Sequence, residues 1–170
     1  MNAADTQELN QLLKIVVAEG GYLPDQASFE AIQKIVRWPA IEVLIIDPDN
    51  PLSFLLTYRE DKHWKGWHIP GGYVRPWHES PEATCEAIAK KELKGDFTIT
   101  KATLIMPPHF WTDHPYGYPI SLVYACSVDR RPEISEHAKF FTDIPSPMVP
   151  NHDDFVRHYL DVANPFLFKS

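Results

Sequence analysis

A carboxylate stands on the apolar face of a predicted helix. Between Pro81 and Leu93, at about 100° per residue, Cys85, Ile88, Ala89 and Glu92 share one face while Lys90, Lys91 and Lys94 point away. That face looks into the protein. An ionised carboxylate is costly to bury unless something meets its charge, so Glu92 calls for a cation, an arginine or a metal. The alternative is a helix that stops near Lys91 and leaves Glu92 in a hydrated last turn. Glu86 lies nearer the inward side of the same helix than Glu82, whose place is an exposed acidic flank. Further on, Glu136 and His137 adjoin, either as a functional pair or as an exposed loop entering a strand. The segment from His109 through Trp111 to Tyr116 is crowded with rings that can stack a base or a sugar, or else pack the core. Its His and Asp residues have no recognised zinc spacing.

These groups must be positioned by a modest chain. Its 170 residues suggest one domain with a true core, and 12 % aromatic content can fill both a core and a pocket. Net charge is −7 with the basic residues scattered, which disfavours long nucleic acid and anionic membranes as partners. A small phosphorylated ligand remains compatible where a metal supplies positive charge. Cys85 and Cys126 fall on a helix and an alternating strand and read as small buried thiols. The first twenty residues have no basic start and too short an apolar run for a signal or a membrane span, so the expected location is cytoplasmic.

The periodicity predicts helices over Thr6 to Val17 and Ser28 to Val36, separated by Gly20, Gly21 and Pro24. Together they make an N-terminal helical extension over residues 1–37, followed by a domain over 38–170, and they offer a surface for a homodimer. Ala40 to Ile46 and Leu52 to Tyr58 read as a hairpin around Asp47 to Pro51. Ile69 to Val74 is a strand-to-loop transition, and a helix opens with Ser80 as N-cap and Pro81 in its first turn. Phe97 to Met106, Tyr118 to Val128 and Lys139 to Phe141 read as strands, and Asp153 to Val162 as a last helix. Irregular alternation of this kind predicts an α/β (α+β) fold, a mixed sheet with helices on both faces. Trp64 and Trp67 flank Lys65-Gly66 and either line a pocket mouth or pin the loop.

The run Gly71-Gly72-Tyr73-Val74-Arg75-Pro76-Trp77-His78-Glu79-Ser80-Pro81-Glu82-Ala83, continuing to Glu86 and Glu92-Leu93, resembles the signature of the Nudix hydrolases. The resemblance implies an αβα sandwich around a mixed sheet and a magnesium-dependent hydrolase of a nucleoside diphosphate linked to another group, with manganese as substitute ion. Two departures stand out. One residue more than usual separates Gly72 from Glu79, and Ala87-Ile88 and Lys91-Glu92 occupy the positions of the family's charged pairs, so only the last carboxylate is retained. This pattern is similar to the GDP-mannose mannosyl hydrolase branch, which implies a nucleotide-sugar cleaved at the sugar carbon. By that likeness Gly71, Glu92 and Glu136 would hold the metal, with Glu86 in reserve. His137 would be the base, a role its unperturbed pKa of about 6.5 suits, and Arg59 would meet the diphosphate. Tyr73 replaces an arginine in the substrate-binding set, alongside Trp111 and His109, while Gly72 and Glu79 shape the turn from loop to helix, Glu79 beside the helix's positive end. Two other readings remain: a Nudix-fold nucleotide-binding or interaction module with weakened catalysis, and a pyrophosphohydrolase acting on ADP-ribose or a dinucleotide.

Overall fold

The computed structural model describes residues 3–18, 25–75 and 77–167. The predicted breakers Gly20, Gly21 and Pro24 lie outside them. At its centre is strand β1 (Pro39–Asp47), an almost wholly apolar, β-branched run whose residues from Ala40 to Ile45 are buried. Such a strand is stable only with partners on both edges and cover on both faces.

Strand β2 (Asn50–Glu60) turns back antiparallel to β1 with Ile46 opposite Phe54, and the connection is tied by Asp49 N donating to the Asp47 carboxylate at 3.1 Å. Two short strands the periodicity did not reveal follow, β3 (Lys65–His68) on β2 and β4 (Gly71–Tyr73) on β1. Helix α3 (Pro81–Glu92) opens as expected, Ser80 Oγ accepting from Ala83 N at 3.1 Å with Pro81 in the first turn. It ends on Glu92, since Leu93 is already extended.

Strand β5 (Ile99–Leu104) is shorter than predicted: Phe97 enters the core beneath α3 instead of joining the ladder. Strand β6 (His109–Phe110) pairs briefly with β7 (Ile120–Val128), which runs parallel to β1 with Leu44 opposite Ala125. Strand β8 (Ala138–Phe141) adds to β2, and α4 (His152–Leu167) closes the chain with Phe155, Val156 and Tyr159 turned inward. Helix α2 (Gln26–Gln33), N-capped by Asp25, packs through Phe29 against Trp38 and Tyr73. Helix α1 (Ala3–Ala18) presents Leu9, Leu12, Leu13, Ile15 and Val17 to solvent. Among the described residues no helix is long and apolar enough to cross a membrane.

Two apolar clusters lie on opposite faces of the sheet. Ile41, Val43 and Ile45 meet α3 through Cys85, Ile88 and Ala89, with Leu55 and Phe97. Leu44 meets α4 through Phe155 and Val156, with Phe54, Ile69, Trp111 and Val123. Because successive strand residues point to opposite faces, Glu42 falls in phase with Leu44, on the α4 face.

Candidate functional site

Glu42 is 7 % exposed, and its position sets the site. It opens onto a cavity of about 360 Å³ walled by rings from four parts of the chain: Phe29, Trp64, Tyr73, Trp111 and Tyr116 among them. Gly71, paired opposite Glu42 in the β1–β4 ladder, lies so close that any side-chain carbon there would collide with the Glu42 carboxylate. A glycine is therefore required at that position. The carboxylate is held from the other side by a buried relay, in which Trp111 Nε1 donates to Ser121 Oγ at 2.9 Å and Ser121 Oγ donates to Glu42 Oε1 at 2.8 Å. Burial pushes the Glu42 pKa up to about 7, further raised by the charge of Glu92 and opposed by Ser121 and Arg59.

Three histidines join the lining, and burial lowers the pKa of each. His152 lies well below its ordinary value and accepts from Ile69 N through Nδ1 at 3.1 Å, so its remaining proton sits on Nε2. His114 falls to about 4, burial being aided by Arg59. In His68, Nδ1 faces the Ile69 carbonyl at 2.8 Å and Nε2 faces Thr57 Oγ1 at 3.0 Å. Thr57 Oγ1 in turn donates to Glu92 Oε2 at 2.7 Å, which lies 3.6 Å from His68 Nε2. Burial lowers the His68 pKa, opposed by the nearby charge of Glu92.

Glu92 thus caps the last turn of α3 with its side chain 29 % exposed, hydrogen-bonded to the sheet by Thr57. It is therefore an exposed residue in the last turn of the helix, close to the alternative reading; its partners are a hydroxyl and a histidine, and it does not line the cavity. Arg59, Gly71, Gly72, Tyr73 and Trp111 all line the cavity, and Arg59 is ion-paired through Nε with Asp61. Trp111 is core and pocket wall at once. His109 stands one layer back, its ring edge-on to Trp111 and Phe155.

The remaining expected residues lie elsewhere. Glu86 turns to Lys90 Nζ at 2.5 Å and accepts from Ile99 N at 3.1 Å, so it fastens α3 to β5 and has a structural role. Glu136 and His137 are 85 % and 68 % exposed in their side chains and face each other at 3.4 Å, outside the cavity lining. Their placement follows from the ladder: Tyr58 N donates to His137 O at 2.8 Å, which holds this segment along β2. Glu79 is exposed ahead of the N-cap, as a turn residue should be.

The ligand set Gly71, Glu92, Glu136 and Glu86 is therefore not assembled around one point. Among the described residues no three His, Cys, Asp or Glu side chains gather as an ion would require. The donor set does not fit a resident magnesium held by the protein alone.

Glu42, Ser121, His68 and His152 were not foreseen. For Glu42 a signal existed, a carboxylate in phase with the apolar face of an otherwise apolar strand. The two histidines reveal themselves only through contacts across the fold.

A mixed sheet between α3 and α4, with a cavity at the Gly-Gly strand, defines an αβα sandwich with a ligand pocket. In solved structures the fold recurs among Nudix proteins. A MutT Nudix hydrolase from Burkholderia pseudomallei aligns with a TM-score of 0.58 and 20 % identity over 72 % of this chain and 98 % of that one. The Nudix domain of Shewanella oneidensis NrtR, complexed with ADP-ribose, gives 0.60 and 14 % over 96 % and 99 %. A UDP-X diphosphatase gives 0.55 and 13 % over 94 % and 81 %. The chain has the Nudix fold. No family model matches its sequence, and neither does any curated protein.

Proposed function

We propose that the cavity binds a nucleoside diphosphate linked to another group and hydrolyses it, with Glu42 as the general base. One observation carries this reading: a buried carboxylate, held by Ser121, opens onto an aromatic-walled cavity of about 360 Å³. A base poised near neutral pH is half in its working form and still accepts a proton with useful driving force. The Trp111–Ser121 relay fixes one carboxylate oxygen, leaving the other to take a proton from attacking water. Rings such as Trp64, Tyr73 and Trp111 hold a planar group without needing positive charge. Arg59 at the wall meets the diphosphate. Magnesium, or manganese in its place, enters this reading as an ion carried on the diphosphate itself.

Solved Nudix structures of ADP-ribose-bound and UDP-X diphosphatase type support the substrate class. A nucleotide-sugar cleaved at the sugar carbon is the narrower version, with the base now inside the cavity at Glu42. The test is incubation with ADP-ribose, UDP-glucose and GDP-mannose, with magnesium and with chelator, following nucleotide products. Turnover that disappears in Glu42→Gln supports the reading. Free sugar with an intact nucleoside diphosphate marks carbon attack, and two monophosphates mark phosphorus attack. Saturable binding without turnover would favour a nucleotide-binding module, a reading supported by the exposed Glu136–His137 pair outside the cavity. A homodimer through the exposed apolar side chains of α1 is a separate proposal, open to sedimentation analysis.

A further inference from the structure

Two buried histidines stand on the cavity wall, and their ring nitrogens are used differently. In His68 each nitrogen faces a protein partner, the Ile69 carbonyl at 2.8 Å and Thr57 Oγ1 at 3.0 Å. In His152 only one does. Ile69 N donates to its Nδ1 at 3.1 Å, and a ring nitrogen that accepts an N–H bond cannot itself carry a proton. The ring is therefore neutral with its proton on Nε2, and burial favours the same uncharged form.

That Nε2–H has no hydrogen-bond partner among the described residues, and it is not sealed inside the protein. The residue is 7 % exposed and lines the cavity, so its unused donor opens there. The backbone is bent to place it. Asn151, just before it, holds a left-handed φ of +67°, while His152 N donates to Val149 O at 3.2 Å and Phe155 N to Asn151 O at 3.1 Å. Ile69 fixes the ring from the other side, two residues before Gly71, which faces Glu42 in the β1–β4 ladder. Donor and carboxylate are thus both referenced to one stretch of chain. His114 shares the tautomer, Tyr116 N donating to its Nδ1 at 3.3 Å, but it is only half-buried and sits on a loop. A donor of fixed sense, without charge and already stripped of water, bonds an acceptor atom and rejects a ligand that offers it another donor.

We propose that His152 is a ligand-binding residue, donating from Nε2 to an acceptor atom of the nucleoside diphosphate in the cavity. The inference rests on the reading of the cavity as a nucleoside diphosphate site. Two substitutions separate the ring nitrogens. His152→Asn keeps an acceptor for Ile69 N and lacks the outer donor, whereas His152→Gln offers an N–H near the Nε2 position and gives up the bond to Ile69 N. ADP, GDP, CDP and UDP are titrated calorimetrically with magnesium into wild type and both variants, with thermal midpoints alongside. His152→Asn should bind roughly 10- to 100-fold more weakly at a midpoint close to wild type. His152→Gln should recover much of that affinity at a midpoint roughly 2–8 °C lower. Affinity and stability then part company, which a histidine serving only the fold would not allow. A loss shared by all four nucleotides places the acceptor on the common ribose diphosphate, and a loss confined to some places it on the base. Proton–nitrogen correlation spectra of the imidazoles at pH 7 should show His152 as the Nε2–H tautomer, with Nε2 shifting when ADP saturates the protein. If His152→Gln does not fold, His152→Asn and the spectra decide. Undiminished affinity in His152→Asn, affinity losses that track the midpoints in both variants, or an Nδ1–H or cationic ring overturns the inference and leaves the cavity reading standing. A wild type that binds none of the four overturns both.

Discussion

The two faces of the central sheet solve different problems with similar sets of apolar side chains. On the α3 face, Ile41, Val43, Ile45, Cys85, Ile88 and Ala89 interlock, and the polar residues at the rim, Glu86 among them, are fully occupied in fastening helix to strand. On the α4 face the same strand contributes Leu44 and a carboxylate, and around that carboxylate lie a serine, two deeply buried histidines and a cavity. One face serves stability. The other holds buried polar groups that oppose folding, which is what a binding site requires, because groups already desolvated act strongly on whatever enters.

Substitutions on the two faces should therefore part company. The largest loss is expected for Ile45→Ala on the α3 face, about 2–5 kcal/mol of stability by chemical denaturation, with nucleotide affinity of the folded protein unchanged. A matching loss of affinity would mean that the faces are coupled. Next comes Glu42→Gln, with the opposite sign. The folded pKa is raised from 4.5 to about 7, so the folded state holds a proton that the unfolded chain releases, and stability falls as pH rises through that window. Removing the charge should recover up to about 3 kcal/mol above pH 7 and nearly nothing at pH 4, since each tenfold difference in proton affinity between the folded and unfolded states is worth about 1.4 kcal/mol. A pH-independent difference between variant and wild type would contradict the buried, titrating carboxylate.

Smaller is the acid arm from the pocket histidines. Their folded pKa values are depressed, so the unfolded chain takes up protons first, and stability present above about pH 6.5 is lost as pH falls, continuing toward about 4 for His114. His152→Asn keeps an acceptor for Ile69 N without a titrating ring. Thermal midpoints between pH 7 and 5 should fall less steeply in that variant; an equal fall would remove His152 from the acid response. The smallest effect is expected outside the cavity. Glu136→Gln should stay within about 0.5 kcal/mol of wild type, as for exposed positions without a buried partner.

The sheet and its helices were legible because long apolar runs, a Ser-Pro helix start and breaker residues all act locally. Thus β1, β2, β7 and α3 lie within a few residues of their expected bounds. Strands β3 and β4 escaped because three or four residues carry no period, and they pair only because β1 and β2 present free edges. Glu92 stands in the exposed last turn that the helix pattern left as an alternative, and its partner Thr57 lies 35 residues away in sequence. The expected catalytic pairing of Glu136-His137 with Glu92 followed a linear likeness, and the register of β8 on β2 turns that pair outward. His152 was invisible for a related reason: its burial depends on Ile69, 83 residues earlier.

If the cavity around Glu42 does the chemistry, as proposed, the exposed Glu136–His137 pair is dispensable. Turnover of ADP-ribose and UDP-glucose with magnesium, measured side by side for wild type, Glu42→Gln and His137→Ala, tests it directly. The expected result is a loss of at least about 100-fold in Glu42→Gln and activity within about twofold of wild type in His137→Ala. The reverse pattern, an active Glu42→Gln and a dead His137→Ala, would contradict it.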